Sequence, residues 1–508
     1  MIFDGIKFGS KTLEVSEGQG CLLRAYSDVL EREYFSFLGS LFKMGYRKTE
    51  ERNIKNNCFS FFTNGESDLY FSYYGDLKEV RAVCEPHSGY FDFHDEYGTG
   101  KVQPLMTQID LEDFGESVVF RLSDGRFIVF DGGREFEPDA DKLMECLISQ
   151  SVLETPTVAA WILTHPHIDH YSGFFIAEEK YRGKFKVENI IFNFPDAGDD
   201  DIKRIPGMEK ERERLKRFYS SIAETGAAVY KAHTGQVFKV GDAVMEMLFT
   251  PDDIVDSFIE DINTISLVVK LTLANQCIMM CADAYLPLAH LAEKFGDYLK
   301  CDILQPAHHM FIGGDVDTYE LMDPRVVVVP SFEYDVFKRI SPYQNICKKE
   351  NLFLFYDLNV EDFFTGATGN VVLKLPYEPR KNGRELYLQK IESYKKSLGD
   401  KSWVFFDVPK DEADFTFLNL SAECAEVYAD LYFDERSDLI FNIKIEVPTL
   451  QNYKVNLFDS QLCDPDALYY NPHSFKKKGL PECESFTVNF RSDIPIVIKG
   501  KKSADYHG

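Results

Sequence analysis

Seven consecutive residues, Thr164, His165, Pro166, His167, Ile168, Asp169 and His170, bring together three imidazoles and a carboxylate. Imidazole nitrogens and carboxylate oxygens are the donors that divalent transition metals take from proteins. In extended backbone, residues two apart point the same way, so His165 and His167 can grip one ion. On a helix they would diverge by about 200°. Pro166 favours the extended form, because it fixes its own φ and pushes His165 out of the α region. Asp169 and His170 then turn toward a second ion on the other side of the loop. The plainer alternative is a polar loop of chance composition, which is hard to sustain in a chain with only 11 histidines. The element that must deliver these residues is Val158–Leu163, an apolar run that reads as a buried strand ending at a sheet edge.

The pattern His165-x-His167-x-Asp169-His170 resembles the signature of the metallo-β-lactamase superfamily, whose members are two-metal hydrolases. Further residues fall in that family's order. Asp131 closes the strand of the hairpin Gly115–Gly133 and matches an aspartate that orients the metal loop without being a ligand. After His170 the family usually carries two glycines. Here Tyr171-Ser172-Gly173 keeps only the second, and Tyr171 becomes a candidate lining residue. Thr250-Pro251-Asp252-Asp253 stands where the family often has Thr-Pro-Gly-His. Asp253 therefore replaces the first ion's third histidine, as a carboxylate ligand, as a gap filled by water, or with His233 swinging in from upstream. Asp283 matches the aspartate that bridges both ions. His308-His309 matches the last motif, with His308 expected on the metal and His309 on the substrate side, although the order is open to reversal.

The run Asn263-x-x-Ser266-Leu267-Val268, followed by Asp283 and His308-His309, looks most like the branch that holds the hydrolase domain of the competence DNA-uptake protein ComEC and the phosphorylcholine esterases. It puts Asn263 beside the substrate. The resemblance implies two divalent ions, zinc first and manganese or iron next. His165, His167 and Asp283 would hold one, and Asp169, His170, Asp283 and His308 the other. Asp169, Asp283 and His309 are the expected catalytic residues. Such ions lower the pKa of a shared water far enough to supply hydroxide near neutral pH.

The resemblance spans residues 104–378 and implies an α/β fold, the αββα metallo-β-lactamase sandwich. Residues 323–330 and 352–357 are expected to be its last strands. Residues 1–95 read as a small α+β domain: the apolar-periodic Val29–Phe42 predicts a helix stopped by Gly45, and aromatic strands follow, separated by Asn64-Gly65 and Gly75-Asp76 turns. His94 is expected at the surface, and 199–201 in a solvated acidic loop. Residues 379–508 read as a β-rich accessory domain for oligomerisation or substrate cover, ending in a disordered tail at 503–508.

The 508 residues include 83 acidic and 56 basic side chains, a net charge of −27. That excess disfavours a long nucleic acid or an anionic membrane as the main partner. Eleven cysteines are scattered without a CxxC pair, as expected of free thiols in a reducing cytoplasm. The function these features favour is hydrolysis of a phosphomonoester or phosphodiester in a small or short substrate. The alternative is a non-catalytic metal-binding scaffold or sensor on the same fold.

Overall fold

The computed structural model describes the chain except for residues 1–2, 4–8, 17–19, 94, 96–99, 113–114, 199–201, 204, 256–258, 260, 311–312, 333–335, 337–348, 367–368, 399–401, 434–439, 460–467, 472–473, 479–482, 502–504 and 508. His94 and the acidic residues 199–201 lie outside the described residues. The chain divides into two compact units. One comprises Met1–Leu111, Gly115–Pro330 and Cys347–Arg380; the other comprises Glu112–Phe114, Ser331–Ile346 and Lys381–Gly508.

In the first unit, six antiparallel strands form a sheet in the order Ser10–Ser16, Leu22–Ser27, Glu79–Pro86, Ser67–Tyr74, Asn57–Thr63, Arg47–Ile54. Helix Glu31–Leu41 covers one face, and its Tyr34 ring stacks on Tyr73 at 4.8 Å. Strand alternation sends neighbouring side chains to opposite faces. Leu69, Phe71 and Tyr73 therefore join the helix-side core. Tyr70 and Tyr74 go the other way, to His233 at 4.4 Å and to the Asp253 carboxylate.

Two larger mixed sheets follow. The first runs Ala228–Lys231, Asn189–Phe192, Thr157–Leu163, Phe127–Phe130, Val118–Arg121, Leu105–Gln108, Val371–Lys374. Its first four strands pair in parallel and the rest antiparallel. The second runs Val237–Val240, Ala243–Phe249, Val268–Leu273, Gln276–Met280, Ile303–Gln305, Val326–Phe332, Asp362–Gly366. Helices Ser172–Tyr181 and Met208–Thr225 cover the first sheet, where Trp161 meets Phe174 at 4.9 Å and Phe192 meets Phe218 at 5.2 Å. Helix Lys349–Asp357 serves the second sheet through Phe355, which lies 6.3 Å from Phe363 and 5.2 Å from Tyr319 of helix Val316–Met322. Residues 352–357 are thus helical, not a strand. A short apolar run carries no period that separates a buried strand from a buried helix.

The second unit is β-rich. Helix Gly383–Leu398 precedes a seven-stranded sheet and a three-stranded one. Phe405, Phe415, Phe417 and Phe490 fill the core between them, with Phe405–Phe415 at 5.0 Å and Phe417–Phe490 at 5.2 Å. The tail is not disordered throughout: Asp505–His507 pairs with Ser402–Val404 as an edge strand. Among the described residues, no helix is long and apolar enough to cross a membrane.

Candidate metal centre

Strand Thr157–Leu163 is buried along its whole length and lies parallel to Phe127–Phe130, so the two strands end side by side. Past the ends come Asp131 and Thr164. Asp131 has a left-handed φ of 54° and no exposed surface. Its carboxylate is fully engaged: Oδ1 accepts from the Thr164 amide at 2.8 Å, and Oδ2 accepts from Thr164 Oγ1 at 2.7 Å and contacts His170 Nδ1 at 2.8 Å. Three contacts take most of this carboxylate's acceptor capacity and hold it against the loop. It fixes the loop and turns His170 Nε2 toward Asp283.

From the second sheet, Gln276–Met280 leads to Asp283, and Ile303–Gln305 leads to His308 and His309. Gln305 Oε1 accepts from the Cys281 and Ala282 amides, both at 2.8 Å, which ties the two strand ends together. His308, His309 and Met310 have φ values of 49°, 51° and 67°. Three successive non-glycine residues in the left-handed region cost energy that surrounding contacts must supply, and such strain clusters at functional sites.

These loops gather four imidazoles around Asp283, itself 1% exposed. Oδ2 lies 3.2 Å from His170 Nε2, 3.7 Å from His308 Nε2 and 3.9 Å from His165 Nε2, and Oδ1 lies 3.5 Å from His309 Nε2. His309 Nε2 is also 3.2 Å from His170 Nε2 and 3.6 Å from Asp169 Oδ2. Two groups have donor atoms close enough to share an ion: His165, His170 and Asp283, and Asp169, His170 and His309. His167 is 36% exposed at its side chain, with Nδ1 2.8 Å from Asp169 Oδ1.

Burial pushes the His165 imidazolium well below its ordinary pKa, so the ring is neutral. Burial also works against ionisation of Asp283, but His170, His309 and His308 outweigh it and hold the carboxyl well below the usual range. Asp169 behaves likewise beside His167. Both Asp283 oxygens are buried and accept no well-aligned hydrogen bond among the described residues, and Asp169 Oδ1 faces the His167 ring. Anionic oxygens without donors, facing imidazole nitrogens, are a donor set suited to divalent cations.

The geometry departs from the sequence reading at three positions. Asp253 is not at the centre: Tyr74 Oη and Lys294 Nζ, at 3.3 Å, take one carboxylate oxygen, and Thr234 Oγ1, at 2.6 Å, takes the other. Tyr171 lines nothing, because its ring is wholly buried among Phe175, Phe194 and Phe218. His309 has the buried place expected of His308: its Nδ1 meets the Pro330 carbonyl at 2.9 Å, which leaves Nε2 for the centre, while His308 retains 13% exposure. His233, the other residue considered for the first ion, is buried against Asp252 and Glu85. Asn263 does reach the centre, 3.1 Å from His165 Nε2.

Glu116 belongs to none of the motifs. It is 1% exposed, approaches Gln305 Nε2 at 3.3 Å, and is raised to about 8 by burial despite nearby His170. Its only sequence signal is a carboxylate at the mouth of an otherwise apolar buried strand.

Gly173 explains the one glycine kept after the motif. A Cβ there would lie 2.0 Å from the Gly132 carbonyl oxygen, while the Gly173 amide donates to Gly133 O at 2.9 Å. Gly173→Ala must therefore push helix Ser172–Tyr181 off the Asp131 turn. The expected cost is about 1–3 kcal/mol, read as a lower urea midpoint. An unchanged midpoint would show that the turn yields freely.

No known protein family matches the chain, and neither does any curated protein. Solved structures similar to it include the metallo-β-lactamase fold protein YhfI from Bacillus subtilis, at 11% identity and a TM-score of 0.31, over 53% of this chain and 99% of that one. CmlA, a diiron β-hydroxylase from Streptomyces venezuelae, is 12% identical with a TM-score of 0.32, over 57% of this chain and 55% of that one. MEM-A1, a subclass B3 metallo-β-lactamase from a soil metagenome library, is 13% identical with a TM-score of 0.26, over 42% of this chain and 80% of that one. By its own strand order and covering helices, the chain carries an α/β fold of two mixed sheets, with a third antiparallel sheet before them and a β-rich unit after them.

Proposed function

We propose that this protein is a metal-dependent hydrolase that cleaves a phosphomonoester or phosphodiester in a small or short substrate. The observation that carries the reading is Asp283, a buried carboxylate without hydrogen-bond donors, ringed by His165, His170, His308 and His309. Two divalent ions, zinc first and manganese or iron next, would acidify water and polarise the bond to be cut. His165, His167 and Asp283 would hold one, and Asp169, His170, His309 and Asp283 the other. Asp131 and the Pro330 carbonyl keep His170 and His309 in the tautomer that presents Nε2. Asp169 and Asp283 orient the attacking water, and the more exposed His308 takes the substrate side in place of His309.

The net charge of −27 favours a short substrate, since a polyanion would be repelled along its length. The phosphoester preference rests on the resemblance of Asn263–Val268, Asp283 and His308-His309 to the ComEC and phosphorylcholine esterase branch. A cytoplasmic enzyme fits, with the C-terminal β-rich unit covering substrate or joining subunits.

A second reading, a metal-binding scaffold or sensor, draws on Asp253 facing away from the centre. Metal analysis and a substrate panel separate the two. Purified protein should carry about two ions per chain, and His167→Ala with Asp169→Ala should lose them. Chromogenic phosphodiester, phosphomonoester, thioester and β-lactam substrates, tried with added zinc or manganese, then identify the bond. Protein that binds no transition metal would end the enzyme reading, and metal without turnover on any of the four would favour the scaffold.

A further inference from the structure

We propose that Asn263 is itself a metal ligand, through Oδ1, and supplies the first ion with the donor that Asp253 does not. This rests on the reading of the centre as a metal site and assigns Asn263 a different part from lining the substrate.

The amide's orientation follows from its neighbours. Asn263 Nδ2 lies 3.3 Å from Asp261 Oδ2 and 3.4 Å from His308 Nε2. A carboxylate oxygen can only accept from it, so the atom there must be the NH2 group. Asp261 also receives the Asn263 backbone amide at 2.9 Å and caps the short turn Ile262–Ile265, which locks the residue in place. Oδ1 is thereby aimed at His165 Nε2, 3.1 Å away.

The tautomer of His165 follows in the same way. Thr164 Oγ1 donates its one proton to Asp131 Oδ2, so toward His165 Nδ1, at 3.1 Å, it can only accept. The ring proton is therefore on Nδ1, and Nε2 presents a lone pair. Two acceptors, Nε2 and Oδ1, face each other in a fully buried site. As a hydrogen bond this arrangement is empty, and without a positive charge between them it is repulsive. Two donors bound to one ion at ordinary zinc distances stand about 3.3–3.5 Å apart in a tetrahedral shell and about 2.9 Å apart at right angles. The observed 3.1 Å falls between those two values, and Asp283 Oδ2 lies 3.9 Å from the same nitrogen. A neutral amide oxygen is a weaker zinc donor than imidazole. The ion nearer His165 should accordingly be the more readily lost of the two.

The test is titration of the metal-free full chain with Zn2+ and with Co2+, following affinity by chelator competition and the cobalt absorption bands, with urea unfolding of the metal-free forms as the control on folding. In Asn263→Ala, one of the two ions should bind at least about tenfold more weakly and the cobalt bands should change. Asn263→Asp keeps an oxygen donor and should restore binding of both. If Asn263→Ala keeps both ions at wild-type affinity, or Asn263→Asp binds as weakly as Asn263→Ala, the ligand role is wrong while the metal centre stands. If the wild type takes up neither ion, the metal reading and this role fall together. Should Asn263→Ala not fold, Asn263→Asp decides alone: two ions with altered cobalt bands support the role, and bands identical to wild type overturn it.

Discussion

Asp283→Ala should leave the protein with far less than one tightly bound ion per chain and reduce hydrolysis at least about a hundredfold. This is the largest effect expected from one substitution, because Asp283 is the carboxylate that approaches imidazoles of both groups, the position it shares with the His170 ring. Its Oδ2 faces His165 and His170, and its Oδ1 faces His309. Without the carboxylate, each ion would be held by mainly neutral imidazoles, and the two ions would repel each other with one negative charge fewer between them. The fold should survive. Gln305 Oε1, not the Asp283 side chain, secures the strand end through the Cys281 and Ala282 amides. Removing Asp283 from the metal-free protein takes a counter-charge from His170, His309 and His308, so a lower urea midpoint is expected alongside a retained fold. Metal analysis, zinc titration and urea unfolding of Asp283→Ala and Asp283→Asn check this together. Full metal occupancy in Asp283→Ala would mean that the carboxylate does not bridge. A collapse of the metal-free fold would mean that its role is structural.

What the sequence could reveal of this site was what is local. His165, Asp169 and His170 sit on one short loop and all reach the centre, whereas His167 of the same loop belongs to neither donor group and turns to Asp169. Asp131 and Asp283 were legible as polar residues at the ends of buried strands. Asp253 stands where the resemblance puts a ligand, whereas its carboxylate is decided by Tyr74, Thr234 and Lys294, from three other parts of the chain. The order within His308-His309 was equally nonlocal. It depends on which ring reaches the Pro330 carbonyl from a backbone turned left-handed three times running. Tyr171 follows a metal ligand directly, but helix Ser172–Tyr181 begins at once and carries its ring into the aromatic core. Residues 352–357 failed for a different reason. Phe355 must be buried in either a strand or a helix, and the pattern does not distinguish them.

The second large effect lies outside the metal centre, at His233. Its Nδ1 is 2.7 Å from Asp252 Oδ2, its Nε2 is 3.4 Å from Glu85 Oε2, and the Tyr70 ring stacks on it at 4.4 Å. Burial lowers its affinity for a proton, but Asp252 and Glu85 prevail and raise its pKa to about 9. The ring is thus a buried cation joining the six-stranded sheet to the turn that holds Asp252. His233→Ala would leave two carboxylates buried without their counter-charge, at a cost of about 3–5 kcal/mol. The pH dependence has a definite sign. A histidine whose folded pKa exceeds its unfolded value of about 6.5 contributes in full below that value and loses its contribution as pH rises through the folded pKa. The wild type should therefore lose stability between pH 6.5 and 9, by on the order of 3 kcal/mol. His233→Gln, which does not titrate, should be less stable at pH 6 and nearly flat across that window. Glu85 acts at the other end: burial opposes its ionisation, yet His233 holds it below the ordinary carboxylate range, so its contribution is present above that range and disappears in acid. Urea unfolding at pH 6, 7.5 and 9 measures the difference. Parallel profiles for wild type and His233→Gln would show that the ring is neutral in the folded protein, and that packing against Tyr70, not charge, holds the sheet in place.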